Sequence, residues 1–201
     1  MTDHDGERLD YRYLVAVDLA GFSKLSTRDQ MAVQSVLHQV LDKAADHAQL
    51  NRQSWQRQAG GDGELAILPA ETDGLRLVAD FPRELAEVLT ATNAERRDRP
   101  RIRVRLAIHH GTLTPGCLGP VGQAPIVISR LLDAAILRRV LVRHPGLDLA
   151  LIVSASLHAD VIESQLSGLD PSEFYRVRVR AKGVVYPAYI KGRASLGHRW
   201  T

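Results

Sequence analysis

Leu14-Val15-Ala16-Val17 is an unbroken apolar run that stops at Asp18, and such a run reads as a buried strand spanning Tyr11 to Leu19. A helix follows, capped by Ser26 or Thr27, with Val33, Val36, Leu37, Val40, Leu41 and Ala44 on one stripe. Ser54–Gln58 and Glu64–Leu68 then form a hairpin across Gly60-Gly61-Asp62-Gly63. Glycine at such a turn supplies positive φ at little cost and lets the backbone approach a ligand closely. A second helix is expected from Thr72 to Asn93, kinked or restarted at Pro82. The strand Arg101–His109 leads into a Gly- and Pro-rich stretch, Gly111 to Pro125. A third helix runs from Ile126 to Arg143 and stops before Pro145 and Gly146. Leu149–Val153 is a strand, Ser154 caps a short helix to Ile162, and Phe174–Arg180 pairs with Val184–Ile190 across Lys182-Gly183. Helices alternating with strands, with at least two hairpins, predict a mixed sheet with helices packed on it, an α+β domain. It spans 11–192, between tails at 1–10 and 193–201.

Composition narrows the function classes. The 201 residues suit one domain, and 45% hydrophobic with 24% charged residues describes a soluble globular chain. Cys117 is the only cysteine, which excludes an internal disulfide and a Cys-based zinc site; its thiol reads as buried or incidental. No apolar run approaches the ~20 residues needed to cross a bilayer, and the N-terminus lacks signal-peptide features. The expected setting is cytoplasmic, with no membrane partner. Lys and Arg number 26 against 23 Asp and Glu, a formal charge of +3. Part of the basic complement alternates with apolar residues, at Arg101, Arg103 and Arg105 and again at Arg176, Arg178 and Arg180. These read first as two solvated sheet faces, and second as a phosphate-facing surface. Without interleaved aromatics, and at so modest a charge, nucleic acid is not an expected partner. His109 and His110 end a strand with no acidic residue at ligand spacing, and read as structural.

Two aspartates stand out by context. Asp18 closes a buried strand, and Asp62 sits in the glycine turn of the next hairpin. If that hairpin lies beside the first strand, both carboxylates meet at one edge. Close carboxylates repel unless a positive charge lies between them, and a divalent metal is the usual answer. Paired ions about 4 Å apart hold a polyphosphate and activate a hydroxyl for in-line displacement.

The segments around these aspartates resemble those of class III nucleotidyl cyclases. Val15-Ala16-Val17-Asp18-Leu19-Ala20-Gly21-Phe22-Ser23 resembles the family's metal-binding strand, and Gly61-Asp62-Gly63 before Leu65-Ala66-Ile67 its second metal motif. Arg105-Leu106-Ala107-Ile108-His109-His110-Gly111 is similar to its Arg-apolar-Gly-Ile-His-x-Gly strand. Gly122 through Arg130 follows the spacing of its catalytic helix, and Lys182-Gly183 resembles its late triphosphate-contacting pair. The resemblance covers about Tyr11 to Ile190 and implies a ferredoxin-like mixed sheet working as a homodimer with active sites at the interface. It implies a nucleoside triphosphate substrate and two Mg2+ or Mn2+ ions on Asp18 and Asp62, with the Leu19 carbonyl assisting. The amides of Gly21, Phe22 and Ser23 would cradle phosphates, joined by Lys182. Arg130, from the other protomer, would stabilise charge on the α-phosphate.

Three positions depart from the family's pattern. Gln58 stands where purine cyclases carry Lys or Glu, and Gly119 where they carry Asp or Cys. Ile126 replaces the transition-state Asn four residues before Arg130. A glutamine amide both donates and accepts, so Gln58 with Gly119 suits a uracil or cytosine edge. One reading is a pyrimidine cyclase making cyclic UMP or CMP, similar to the small stand-alone cyclases of bacterial anti-phage signalling. The other is a catalytically degenerate domain that binds nucleotide or a protein partner.

Overall fold

The computed structural model describes residues 8–192. The tail at 193–201 and most of the tail at 1–10 therefore lie outside the described residues. Seven strands form one mixed sheet: β1 (Asp10–Leu19), β2 (Gln56–Ala59), β3 (Gly63–Ile67), β4 (Val104–Leu113), β5 (Leu149–Ser154), β6 (Phe174–Ala181) and β7 (Val184–Lys191). Their order is β2-β3-β1-β4-β5-β7-β6, parallel only between β4 and β5. The apolar run of β1 therefore lies inside the sheet, between β3 and β4.

Alternation along β1 divides the core in two. Val15, Val17 and Leu19 face α1 (Thr27–His47) and α2 (Phe81–Glu95), together with Val33, Leu37, Leu85 and Leu89. Leu14 and Ala16 face α3 (Gln123–Leu132) and α4 (Ala135–Arg143), together with Ile128, Leu131, Leu137 and Val140. A short α5 (Ala155–Asp160) is capped by Ser154, whose hydroxyl accepts from the Leu157 amide. Ser26 caps α1 in the same way through Asp29.

Several expected boundaries move, each for a local reason. The helix expected over Thr72–Asn93 does not break: the chain is helical from 74 to 95, and a π-helical stretch over Arg76–Asp80 runs straight into α2 just before Pro82, where the wider turn accommodates the missing N–H. The helix expected over Ile126–Arg143 is two helices, because Ala134 is extended (ψ 124°) and breaks the chain between α3 and α4. α3 starts three residues early, at Gln123, since Pro125 is tolerated in a first turn. Strand β4 starts at Val104 and runs through Gly111 to Leu113.

Arg101 and Arg103 ahead of β4, and Arg105 within it, are spent elsewhere, which corrects the expectation of a solvated basic face. Arg101 forks onto Asp148 at 2.5 and 3.0 Å. Arg103 donates to the carbonyls of Leu141, His144 and Leu147 around the C-terminal end of α4. Arg105 is buried. Arg176, Arg178 and Arg180 do form an exposed face, on the edge strand β6. Cys117 is exposed rather than buried. His110 has an acidic neighbour after all, Asp160, 3.1 Å from its Nε2.

His109 is structural, and its environment predicts an acid-sensitive fold. It is buried on β4, with Nδ1 2.8 Å from the Ser154 hydroxyl. Burial, with His110 adding to it, pushes its pKa down to about 4. The unfolded chain binds a proton near pH 6.5 that the folded chain refuses, so this contribution is complete above pH 6.5 and lost on acidification towards 4. Up to about 3 kcal/mol is at stake. Urea titrations from pH 7 to 4.5 should show stability falling more steeply in wild type than in His109→Gln; equal slopes would refute the assignment.

Candidate active site

The site is built where β1 ends. Asp18 sits opposite Gly63 on β3 and opposite Arg105 on β4. By alternation it shares the face of Leu14 and Ala16, the α3 side. Arg105 grips its carboxylate with a two-pronged fork, Nε to Oδ1 at 2.6 Å and Nη2 to Oδ2 at 2.5 Å. Both residues are buried, and Arg105 Nη1 is enclosed without a partner among the described residues.

The hairpin brings Asp62 to the same place. The Leu19 amide donates to the Asp62 carbonyl at 2.8 Å, tying the end of β1 to the glycine turn. Gln34 of α1 holds that turn from the other side by donating to the Gly61 carbonyl. Gly63 explains why the turn cannot carry a side chain at that point: a Cβ there would lie 1.9 Å from the Val17 carbonyl oxygen and 2.7 Å from Asp18 Cα. Those are backbone atoms of the central strand, so nothing can step aside. Gly63→Ala should therefore break the β1–β3 pairing and cost several kcal/mol, about 3 or more. A melting temperature within a few degrees of wild type would contradict this.

The electrostatics of the pair favour a cation. Burial raises the Asp18 carboxyl to about 6 despite the Arg105 fork, and the charges of Asp62 and Asp133 push the same way. One guanidinium does not compensate the desolvation of Asp18. The donor set is hard oxygen throughout, which suits Mg2+ or Mn2+. Among the described residues no third acid, histidine or cysteine completes a protein-only cage. Ions held by Asp18 and Asp62 would therefore complete their shells with phosphate and water oxygens, as Mg2+ commonly does.

Immediately beyond β1, Gly21 turns the chain in the left-handed region (φ 78°) into one 3-10 turn, Phe22–Lys24. The first amides of such a turn have no partner within it, and those of Gly21, Phe22 and Ser23 come in succession. A cleft of about 660 Å³ opens in front of the pair. Asp18, Gln58, Asp62, Arg105, Ser129, Asp133 and Arg138 are among the side chains that line it.

The other expected residues fall into two places. Gln58 and Gly119 are in contact: a Cβ on Gly119 would come within 2.6 Å of Gln58 Nε2. Arg130 is on α3 but does not line the cleft of its own chain, and its Nε is enclosed without a partner among the described residues. Lys182 (φ 48°) is at the tip of the β6–β7 hairpin. The strand directions put that turn at the opposite end of the sheet from Asp18. One chain thus assembles Asp18, Asp62 and the Gly21–Ser23 turn, and leaves Arg130 and Lys182 outside. The sequence reading missed Arg105 as the Asp18 partner, along with Asp133 and Arg138. Only the Asp18–Arg105 register reveals the first, and only the break between α3 and α4 the other two.

No protein-family model and no curated protein matches the sequence. Solved structures do. The guanylyl cyclase Cya2 superposes with a TM-score of 0.63 at 17% identity, over 92% of this chain and 92% of that one. The adenylate/guanylate cyclase/hydrolase from Silicibacter pomeroyi gives 0.61 at 18% identity, over 94% of this chain and 99% of that one. The guanylate cyclase domain of RhGC from Catenaria anguillulae, in complex with GTP, gives 0.60 at 18% identity, over 93% and 100%. The chain has the fold of adenylate and guanylate cyclase domains.

Proposed function

We propose that this protein is a nucleotidyl cyclase that converts UTP or CTP to a 3′,5′-cyclic monophosphate and pyrophosphate, as a homodimer with its sites at the interface. The observation that carries the reading is the meeting of Asp18 and Asp62 across the β1–β3 pair, in a cleft that also presents Arg105. Asp18 and Asp62, with the Leu19 carbonyl, are the residues that would hold two divalent ions. Such ions lower the pKa of a ribose 3′-hydroxyl and neutralise the triphosphate. The chain's own groups do the rest. The amides of Gly21, Phe22 and Ser23 bind phosphate oxygens, and Arg105 holds the Asp18 carboxylate in place beside them. Arg130 of a second copy stabilises charge on the α-phosphate, and Lys182 of that copy contacts the triphosphate.

The dimer is supported by what one chain leaves undone. Arg130 lies outside its own cleft, while Leu118, Val121 and Ile126, on the β4–α3 loop and α3, expose apolar surface for a second copy to cover. The solved structures named above are adenylate or guanylate cyclases by description, so the base is argued from this chain's own residues. Gln58 and Gly119 are neighbours: a Cβ at 119 would come within 2.6 Å of the Gln58 amide nitrogen, so a side chain there would displace the amide. The amide then presents both a donor and an acceptor, which matches a pyrimidine edge.

Ile126 favours a second reading, a cyclase fold kept for nucleotide binding. It is 43% exposed on α3 and offers no hydrogen bond to a ribose. Turnover with Mn2+ and each of ATP, GTP, CTP and UTP separates the two, with products identified by mass spectrometry. A cyclic pyrimidine nucleotide is expected. A cyclic purine product would overturn the base assignment. No product from a folded dimer that binds triphosphate would establish the second reading.

A further inference from the structure

Arg138 is a cation in the cleft that the chemistry above leaves unused. It lies in the first half of α4 and lines the same cleft as Asp18, Asp62 and Arg105. One prong is anchored: Nη2 donates to the Asp133 carbonyl at 2.9 Å, across the break that separates α3 from α4. Among the described residues it has no ion-pair partner, and it is exposed, so its remaining donors are free at the rim. The neighbouring arginines differ. Arg105 is committed to Asp18, Arg101 to Asp148, and Arg103 to the carbonyls at the end of α4. Three carboxylates, Asp18, Asp62 and Asp133, therefore share the cleft with a single uncommitted guanidinium.

A polyanion entering such a cleft meets repulsion wherever bound ions do not screen the acids. A guanidinium offers two parallel donors to a phosphate, and a charge-assisted pair of that geometry is strong. We infer that Arg138 binds the triphosphate tail of the nucleotide, in the same chain as Asp18 and Asp62, and so sets substrate affinity from the α4 side of the cleft. The inference rests on the reading of the cleft as a triphosphate site. It adds a contact on the metal-binding protomer, where Arg130 and Lys182 act from the other.

The test measures binding by calorimetry in Mn2+, with two probes. Inorganic tripolyphosphate reports the tail without a base, and 3′-deoxyuridine triphosphate binds without the hydroxyl that would react. Arg138→Ala should weaken both at least about tenfold, and Arg138→Lys should recover part of the loss. Arg176→Ala, on the exposed face of β6, removes the same charge far along the sheet and should change neither. Wild-type binding of tripolyphosphate by Arg138→Ala would overturn the inference while leaving the triphosphate site standing. An equal loss in Arg176→Ala would also overturn it, since general charge would then be the cause. Loss of the dimer in Arg138→Ala, seen by sedimentation, would reassign Arg138 to the interface. Failure of the wild-type protein to bind either probe would remove the site itself.

Discussion

Asp62→Ala should abolish Mn2+-dependent turnover, by about a thousandfold or more, and leave the fold intact. The magnitude follows from what the ions supply: losing one carboxylate of a two-carboxylate site removes several kcal/mol of transition-state stabilisation, and about 4 kcal/mol is a thousandfold. The intact fold follows from the side chain's surroundings. Asp62 is half-buried in a turn, with no ion pair among the described residues, and its structural bond to Leu19 uses the backbone carbonyl that alanine keeps. Asp18→Ala should cost activity equally and stability as well. Its removal strands Arg105 as a buried, unpaired cation, a loss on the order of 3–5 kcal/mol. The contrast is itself diagnostic: one variant melts with wild type, the other well below, and both are inert. Thermal melts beside calorimetry with Mn2+ and UTP check it. Wild-type triphosphate binding by Asp62→Ala would remove the metal assignment.

That contrast marks how far the sequence carried the argument. The apolar run Leu14–Val17 marked the strand that Asp18 closes, and the glycines marked the turn that carries Asp62, because both signals are local; that the hairpin pairs with β1 was only a condition until the sheet order supplied it. Asp18's actual partner is 87 residues away, and nothing in the alternation of Arg101, Arg103 and Arg105 tells which of the three meets a carboxylate. Register decides that, and register is a long-range property. The break at Ala134 was illegible for a related reason. Leu131, Leu132 and Ala135 around it are good helix formers, and the bend lets Leu131 and Leu137 both reach one core. With the bend come Asp133 and Arg138 in the cleft, so the part of the site that sequence reasoning missed is the part made by tertiary packing. Gly119 was read as a lost base selector; the fold sets it beside the Gln58 amide.

Arg130→Ala should be equally inert alone, and active again when mixed with Asp62→Ala. In the proposed two-fold dimer each site would take Asp18 and Asp62 from one copy and Arg130 from the other. A hybrid of the two variants puts both lesions in one site and leaves the second complete. With equal amounts and free exchange, about half the dimers are hybrid and one of their two sites works, so about a quarter of wild-type turnover returns. Lys182→Ala belongs to the same half as Arg130 and should also be rescued by Asp62→Ala. Two mixtures must stay silent, Asp18→Ala with Asp62→Ala and Arg130→Ala with Lys182→Ala, since in each every site keeps a lesion in the same half. The pattern separates geometry from mere association: dimers that form without rescue would put Arg130 to work in its own chain, and the cleft, which Arg130 does not line, would then have to close by a movement of α3. Rescue in the first two mixtures and silence in the others has one explanation. The carboxylate pair and the arginine that answers it belong to different copies of this chain.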